Sequence, residues 1–298
     1  RAGTCFLGDS RELLGTLPSD STHLVLTSPP FALRRKKAYG NVAEFEYVDW
    51  FLPFAREIHR VLRPDGSFVF ELAHAWKKGV GTRSLFLYEL ILRLCNEIGF
   101  HLIQEVYWYN PSRLPTPAEY VTIQRTRIKD AVNVVWWLGK TANPKADNRR
   151  VLRPYSRSML RLLKEGVKAA RRPSNHQITD AFDRDNGGAI PPNLLEIANT
   201  ASRDAYLAKC KEKDITPHPA RFPGPLPGFF IRFLTEENDL VVDPFAGSNL
   251  TGWMAEQMNR RWLAFEIQEM YVRGSMLRFD PSQVKWGTLR PLPNQASA

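Results

Sequence analysis

Cysteine is scarce in this chain of 298 residues: Cys5, Cys95 and Cys210 are few, far apart and odd in number. That excludes a disulfide framework and offers no zinc-ligand spacing, so no metal site is expected and a reducing cytoplasm is. Long hydrophobic runs are also missing. Arg, Lys, Asp or Glu interrupts every apolar stretch before the roughly 18 residues that a membrane-spanning helix needs, and Arg1 to Gly8 carry no signal-peptide pattern. Gly-x-Gly-x-x-Gly follows no strand-like run, which argues against a nicotinamide enzyme. Internal repeats and low-complexity tracts are lacking too. Acidic charge is in short supply: 41 Lys and Arg face 31 Asp and Glu, giving +10 at pH 7. Polyanion binding needs such an excess, but so does a merely well-solvated surface, and composition alone leaves both open.

What the chain does have is alternation. Its 43% hydrophobic residues fall into short β-branched and aromatic runs separated by stretches of helical period, the pattern of a covered, mostly parallel sheet. Strands are predicted over Thr4 to Leu7, His23 to Thr27, Ser67 to Ala73, Leu102 to Tyr109, Asn133 to Leu138, Leu240 to Asp243 and Trp262 to Phe265. Phe51, Phe54, Ile58 and Val61 predict a helix over Tyr47 to Leu62; Leu87, Leu90, Ile91 and Leu94 predict another over Ser84 to Ile98, stopped by Gly99. Arg63-Pro64-Asp65-Gly66 reads as a turn feeding the strand at Ser67. From about Thr141 to Ile215 neither period holds. That segment carries fifteen Lys and Arg against nine Asp and Glu, six of the ten net charges, and reads as an inserted module.

Asp243-Pro244-Phe245-Ala246-Gly247-Ser248 follows one strand and precedes the helical run Leu250 to Met258. In open α/β sheets ligands bind beyond the carboxyl ends of strands, where a glycine lets backbone approach and a helix N-terminus offers free N–H groups. Glu266, 23 residues beyond Asp243 at the tip of the next strand, is placed to accept from ribose hydroxyls. Taken singly these are a strand-ending turn and a solvated charge. Together, at β-α-β spacing, they favour a nucleoside cofactor.

Ser28-Pro29-Pro30-Phe31 directly follows another strand. Two prolines hold the backbone extended and withhold their own N–H groups, so rigid acceptors project. An exocyclic amine such as cytosine N4 or adenine N6 is a poor nucleophile because its lone pair is delocalised into the ring. If Ser28 Oγ and the Pro29 carbonyl each accept one N–H, the nitrogen is drawn toward tetrahedral geometry and its lone pair is freed to attack an electrophilic methyl. Phe31 offers a face for stacking the base. Alone, the diproline would be only a rigid loop; its place after a strand raises the catalytic reading. Methylation at cytosine C5 is disfavoured, because none of the three cysteines sits in a Pro-Cys loop.

Arg34, Arg35, Lys36 and Lys37 follow this loop, and Arg125, Arg127 and Lys129 form a second basic cluster, joined in the insertion by Arg171 and Arg172. Such runs are usually solvated surface, but beside a base-flipping loop they suit a distorted phosphodiester backbone. Tyr107-Trp108-Tyr109 and Trp136-Trp137 alternate as strand residues do and are expected to pack in the core.

At these residues the chain resembles a known family. Thr27 to Phe31 looks like the catalytic motif of DNA amino-methyltransferases, and Asp243 to Ser248 looks like their S-adenosylmethionine motif. The catalytic motif comes first, which resembles the β class. Further stretches, among them Asp130-Ala131-Val132-Asn133 and His218-Pro219-Ala220-Arg221-Phe222-Pro223, are similar to segments of a member of that class, and the likeness runs from about Cys5 to Phe279.

The resemblance implies a Rossmann-like α/β methyltransferase sheet, mostly parallel with one antiparallel strand, and a smaller inserted module. Residues 1–140 would form the catalytic half, 141–215 the target-recognition region, 216–280 the cofactor-binding half and 281–298 a tail. Asp243, Pro244, Phe245, Gly247 and Ser248 would line the cofactor pocket, Glu266 would hold the ribose, and Asp9 and Ser10 would lie near the adenine. His218 and Phe222 would pack at the methionine end. The class often has Gly where this chain has Asn249, so an additional side chain is expected near the cofactor carboxylate. Ser28, Pro29, Pro30 and Phe31 would grip a flipped base of double-stranded DNA, with cytosine favoured and adenine open, and a homodimer is compatible. RNA or protein-amide methylation, or a catalytically silent DNA-binding regulator, are the alternatives.

Overall fold

The computed structural model describes residues 3–32, 42–77, 80–166, 184–200 and 204–280, together with the backbone of 285–287. The elements run in the order β1 (Gly3–Leu7), α1 (Ser10–Gly15), β2 (Thr22–Thr27), α2 (Tyr47–Val61), β3 (Leu62–Leu72), α3 (Phe86–Arg93) and β4 (His101–Tyr109). There follow β5 (Val132–Gly139), α4 (Arg157–Glu165), β6 (Leu194–Glu196), α5 (Ala205–Glu212), α6 (Pro225–Leu234) and β7 (Leu240–Asp243). Last come α7 (Leu250–Gln257), β8 (Arg261–Glu266), α8 (Glu269–Ser275) and β9 (Lys285–Gly287). All seven strands expected from the sequence are present.

Among the described residues the strands form one sheet in the order β6-β4-β5-β3-β2-β7-β8-β1-β9, and only β5 runs against its neighbours. From β2 the chain passes through α2 to β3 on one side, and from β7 through α7 to β8 on the other. The direction of winding therefore reverses between β2 and β7. At such a switch point the outgoing connections part and leave a crevice beyond the strand tips. Leu24 pairs with Val241 and Val25 with Val242, so the segments after Thr27 and after Asp243 emerge side by side.

Alternation along the strands sorts the core into two layers. Val25, Phe68, Phe70 and Trp136 face α1, α2 and α3, packing with Leu14, Phe51, Ile58 and Leu87. Leu24, Leu26, Val69 and Trp137 face the other way, with Phe230, Leu234, Ala255 and Val272 from α6, α7 and α8. Each fully buried Phe or Leu contributes about 1.5–3 kcal/mol from apolar burial, which is why two covered faces hold a sheet this wide.

The turn read at Arg63 to Gly66 is carried inside β3 as an irregularity: Thr22 pairs with Leu62 and Leu24 with Ser67, leaving those four residues opposite a single His23. Gly66 fits because a Cβ there would lie 3.0 Å from the Thr22 carbonyl oxygen. α3 ends in a π-helical turn, Leu94–Ile98, and Gly99 takes the left-handed conformation at φ 93° that stops it. The chain divides into two compact units, Arg1–Ala146 with Asn193–Ala298, and Asp147–Pro192. In the smaller one, Ser156 caps α4 by accepting from the Met159 N–H at 3.2 Å, and Arg153 pairs with Ala189 in an isolated antiparallel bridge. No helix among the described residues is long and apolar enough to cross a membrane.

Candidate active site

Ser28 leaves β2 with its hydroxyl turned to β3, where Oγ donates to Glu71 Oε2 at 2.8 Å. Glu71 is buried in the sheet, and its other oxygen accepts from Asn133 Nδ2 at 2.6 Å, at the start of β5. Arg113, in the connection between β4 and β5, donates in turn to Asn133 Oδ1. Burial pushes the Glu71 carboxyl up to about 7, opposed by the Ser28 and Asn133 hydrogen bonds and by the Arg113 charge. The diproline is pinned from the helix side, where the Tyr47 hydroxyl donates to the Pro30 carbonyl at 2.8 Å.

One strand over, Thr27 Oγ1 donates to Asp243 Oδ1 at 2.6 Å, and the Phe245 N–H donates to the same oxygen at 3.1 Å. Burial raises Asp243 to about 6, the hydrogen bonds from the Thr27 hydroxyl and the Phe245 N–H opposing it. The loop then turns at Gly247 (φ 51°), whose N–H donates to Glu266 Oε2 at 2.9 Å, while the Gln268 N–H donates to Oε1 at 2.9 Å. Each Glu266 oxygen keeps a lone pair for a ligand, and burial raises this carboxyl as well. Only glycine suits position 247: the backbone is left-handed, and a Cβ would lie 3.2 Å from the His218 ring. The buried Ser10 hydroxyl donates to the Pro244 carbonyl. Asp9 caps α1 by accepting from the Arg11 N–H at 2.8 Å, and hydrogen bonding to the Arg11 guanidinium holds its carboxyl below the usual range.

These two corners open into one cleft of about 670 Å³, within the range of small-molecule sites. Ser28, Pro29, Pro30 and Phe31 line it, as do Asp9, Ser10 and the segment from Asp243 to Ser248. Glu266, His218 and Phe222 complete the wall. Acceptors sit at a strand tip, backbone approaches closely at Gly247, and apolar rings flank both. That arrangement fits a nucleoside-bearing cofactor, since the free lone pairs of Glu266 can accept from sugar hydroxyls.

Asn249 departs from expectation. Its backbone is left-handed at φ 52°, and the side chain turns inward to cap α7, Oδ1 accepting from the Gly252 N–H at 3.2 Å. It is fully buried and is not among the residues that line the cleft, so its side chain does not enter that space. Arg125, Arg127 and Lys129 are exposed on the β4 to β5 connection, where Lys129 Nζ donates to the Arg113 carbonyl at 3.4 Å. Arg34, Arg35, Lys36, Lys37, Arg171 and Arg172 lie outside the described residues.

Sequence reasoning missed Glu71, Asn133, Arg113 and Asn110, all of which reach the cleft. A signal for Glu71 existed: it is the lone acid in the run Phe68-Val69-Phe70-Glu71-Leu72 of a central strand. Trp108, expected in the core, is buried with its indole N–H donating to the Ile197 carbonyl at 2.8 Å, and it lines the cleft too. Trp136 and Trp137 are core residues, as expected. Cys5 is a packing residue, its thiol driven up to about 12 chiefly by burial.

The chain is 52% identical to the type II methyltransferase M.PvuII of Proteus hauseri over 280 residues, 93% of this chain and 83% of that protein. The solved PvuII DNA methyltransferase, cytosine-N4-specific, superposes with a TM-score of 0.76 at 46% identity, covering 96% of this chain and 89% of that one. A modification methylase of Thermus thermophilus, solved in complex with S-adenosyl-L-methionine, shares the fold at a TM-score of 0.59 and 22% identity, over 96% of this chain and 98% of its own. A DNA methylase family model matches residues 22–277, from the strand that delivers Ser28 to beyond the helix behind Glu266, and the chain belongs to that family, the N6_N4_Mtase DNA methylases.

Proposed function

We propose that this DNA methyltransferase methylates the N4 amino group of a cytosine flipped out of duplex DNA, at the Ser28 corner of the cleft. The methyl donor is S-adenosylmethionine. One observation carries the reading: the Ser28–Glu71 pair and the Asp243–Glu266 cradle share a single cleft at the switch point of the sheet. Cytosine is favoured because the relative at 46% identity is cytosine-N4-specific.

The cofactor supplies an electrophilic methyl group. Glu266 would accept from its ribose hydroxyls, the backbone around Gly247 would allow close approach, and His218 and Phe222 would enclose the far end. Phe31 stacks on the extruded base. Glu71 engages the Ser28 proton, so Ser28 turns lone pairs to the cleft and accepts one amine N–H while the Pro29 carbonyl accepts the other. Held this way, the nitrogen aims its lone pair at the methyl, and positioning with preorganised dipoles lowers the barrier. Transfer of the methyl group from the sulfonium would leave the nitrogen cationic. Its proton passes to Ser28 Oγ while the Ser28 proton moves to Glu71, a carboxyl whose pKa near 7 suits taking and releasing it.

The basic segment 141–215 serves as the target-recognition region, reading base edges in the major groove, and the exposed Arg125, Arg127 and Lys129 hold phosphates. A homodimer and a cytoplasmic location complete the reading. Labelled methyl transfer to unmodified duplex DNA, followed by digestion to nucleosides and mass spectrometry, tests it. N4-methylcytosine is expected. N6-methyladenine overturns the choice of base, and label in RNA or protein but not in DNA overturns the substrate.

A further inference from the structure

Four side chains form an unbroken hydrogen-bonded file along the floor of the cleft: Arg113, Asn133, Glu71 and Ser28. Resting on the amino-methyl transfer proposed above, we propose that Arg113 and Asn133 are a positioning arm that fixes the direction of the hydrogen bonds as far as Glu71 Oε1 and favours the form of Glu71 that accepts from Ser28. Ser28 then presents lone pairs, rather than its proton, to the substrate amine.

The direction follows from which groups can donate. A guanidinium has donors only, so Asn133 must meet Arg113 with its carbonyl oxygen, and it does so through Oδ1. That turns the Asn133 amide nitrogen, again a donor only, to Glu71 Oε1 at 2.6 Å. Glu71 Oε1 is thereby reserved as an acceptor, and any proton on this carboxyl must sit on Oε2, facing Ser28 at 2.8 Å.

Two states of the file remain. With Glu71 ionised, Ser28 donates to Oε2 and its lone pairs face the cleft, ready for an N–H. With Glu71 protonated, Oε2 donates to Ser28, and the Ser28 proton swings toward the cleft, where it opposes the amine hydrogens. Activity therefore requires the ionised state, and Arg113 favours it twice: through its charge and by locking the amide. Without Arg113, the Asn133 amide is free to turn its oxygen to Glu71, an arrangement that only a protonated carboxyl satisfies.

The groups facing Glu71 are Ser28 from the tip of β2, Asn133 from β5, Arg113 from the β4 to β5 connection and the Tyr47 phenol from α2. Tyr47 is fully buried with its pKa driven well above the usual value, so it stays protonated throughout. Burial sets Glu71 near 7, which places the switch between the two states in the neutral range.

The test is the pH profile of single-turnover methyl transfer to unmodified duplex DNA, at saturating DNA and cofactor, for wild type, Arg113→Met and Arg113→Lys. Wild type is expected to rise from acid to neutral pH. Arg113→Met is expected to move this limb up by about one pH unit, costing about tenfold at about pH 6.5 and less than about twofold at about pH 9. Arg113→Lys, which keeps a charge and a donor, restores the wild-type position. Calorimetric binding of S-adenosylmethionine is retained in each variant and shows that the fold is intact.

Arg113→Met with the wild-type limb, losing only DNA affinity, makes Arg113 a substrate contact and overturns the arm. An equal loss at every pH overturns it as well. If wild type transfers no methyl group to DNA, the amino-methyltransferase reading itself fails, an outcome separate from an active wild type whose limb does not respond to Arg113.

Discussion

The two corners of the cleft each bury a carboxylate, yet they hold it in different ways. At the cofactor corner, Glu266 receives the Gly247 and Gln268 N–H groups, and Asp243 receives the Phe245 N–H together with the Thr27 hydroxyl. At the catalytic corner, Glu71 is held by the side chains of Ser28 and Asn133, 43 and 62 positions away in sequence. Backbone donors cannot rotate or be titrated, so at the first corner Glu266 sits in a fixed cradle. Side-chain donors can reverse direction when a proton moves, so the second corner can change state. Fixed dipoles suit binding a cofactor, and a reversible file suits handling the proton released by methylation.

The sharpest way to break this comparison is to remove one partner from each corner. Ser28→Ala deletes an acceptor for the amine, and single-turnover methylation is expected to fall about 100-fold or more with cofactor affinity unchanged. Glu266→Ala should do the reverse in a dialysis measurement with labelled cofactor, weakening binding by about 10- to 100-fold, the loss expected for hydrogen bonds to a charged group. Parallel losses of rate and affinity in both variants would mean that the corners do not divide the work.

Stability separates the corners less strongly but with a definite sign. A carboxyl whose pKa is raised on folding binds its proton more tightly in the folded chain. The resulting stabilisation is complete below the ordinary Glu value of 4.5 and is lost as pH rises through about 7. Glu71→Gln mimics the protonated form, its amide donating to Ser28 and its oxygen accepting from Asn133. It is expected to be inactive at every pH, yet at about pH 8 more stable than wild type by on the order of 3 kcal/mol in urea unfolding, the advantage vanishing toward about pH 4.5. The smallest effect belongs to the far side of the cofactor loop: Asn249→Ala removes the α7 cap and should cost about 1–2 kcal/mol of stability. Because Asn249 turns away from the cleft, cofactor affinity measured on the folded variant should hardly change.

The same contrast explains what could be read in the sequence. The cofactor corner is written almost contiguously: Asp243 to Ser248 is one loop, and Glu266 follows at the spacing of one β-α-β unit. Ser28 to Phe31 was legible for the same reason. Glu71, Asn133 and Arg113 were not, because their partners come from other strands, and spacing along the chain does not reveal which strands become neighbours. β6 and β9 are three residues each, too short to show a period. Asn249 illustrates a further limit, since sequence position placed it beside the cofactor motif but its left-handed backbone set the direction of its side chain. Trp108 shows that burial in the core and a place at the cleft are compatible.

The central claim is that the Ser28 corner and the Asp243 corner face one another across a single reaction space. A crystal structure of the protein with S-adenosylmethionine bound tests this most directly. Ribose hydroxyls on Glu266 and a sulfonium methyl turned toward Ser28 Oγ are the expected result; a cofactor seated away from Glu266, or with its methyl turned away from Ser28, would contradict it.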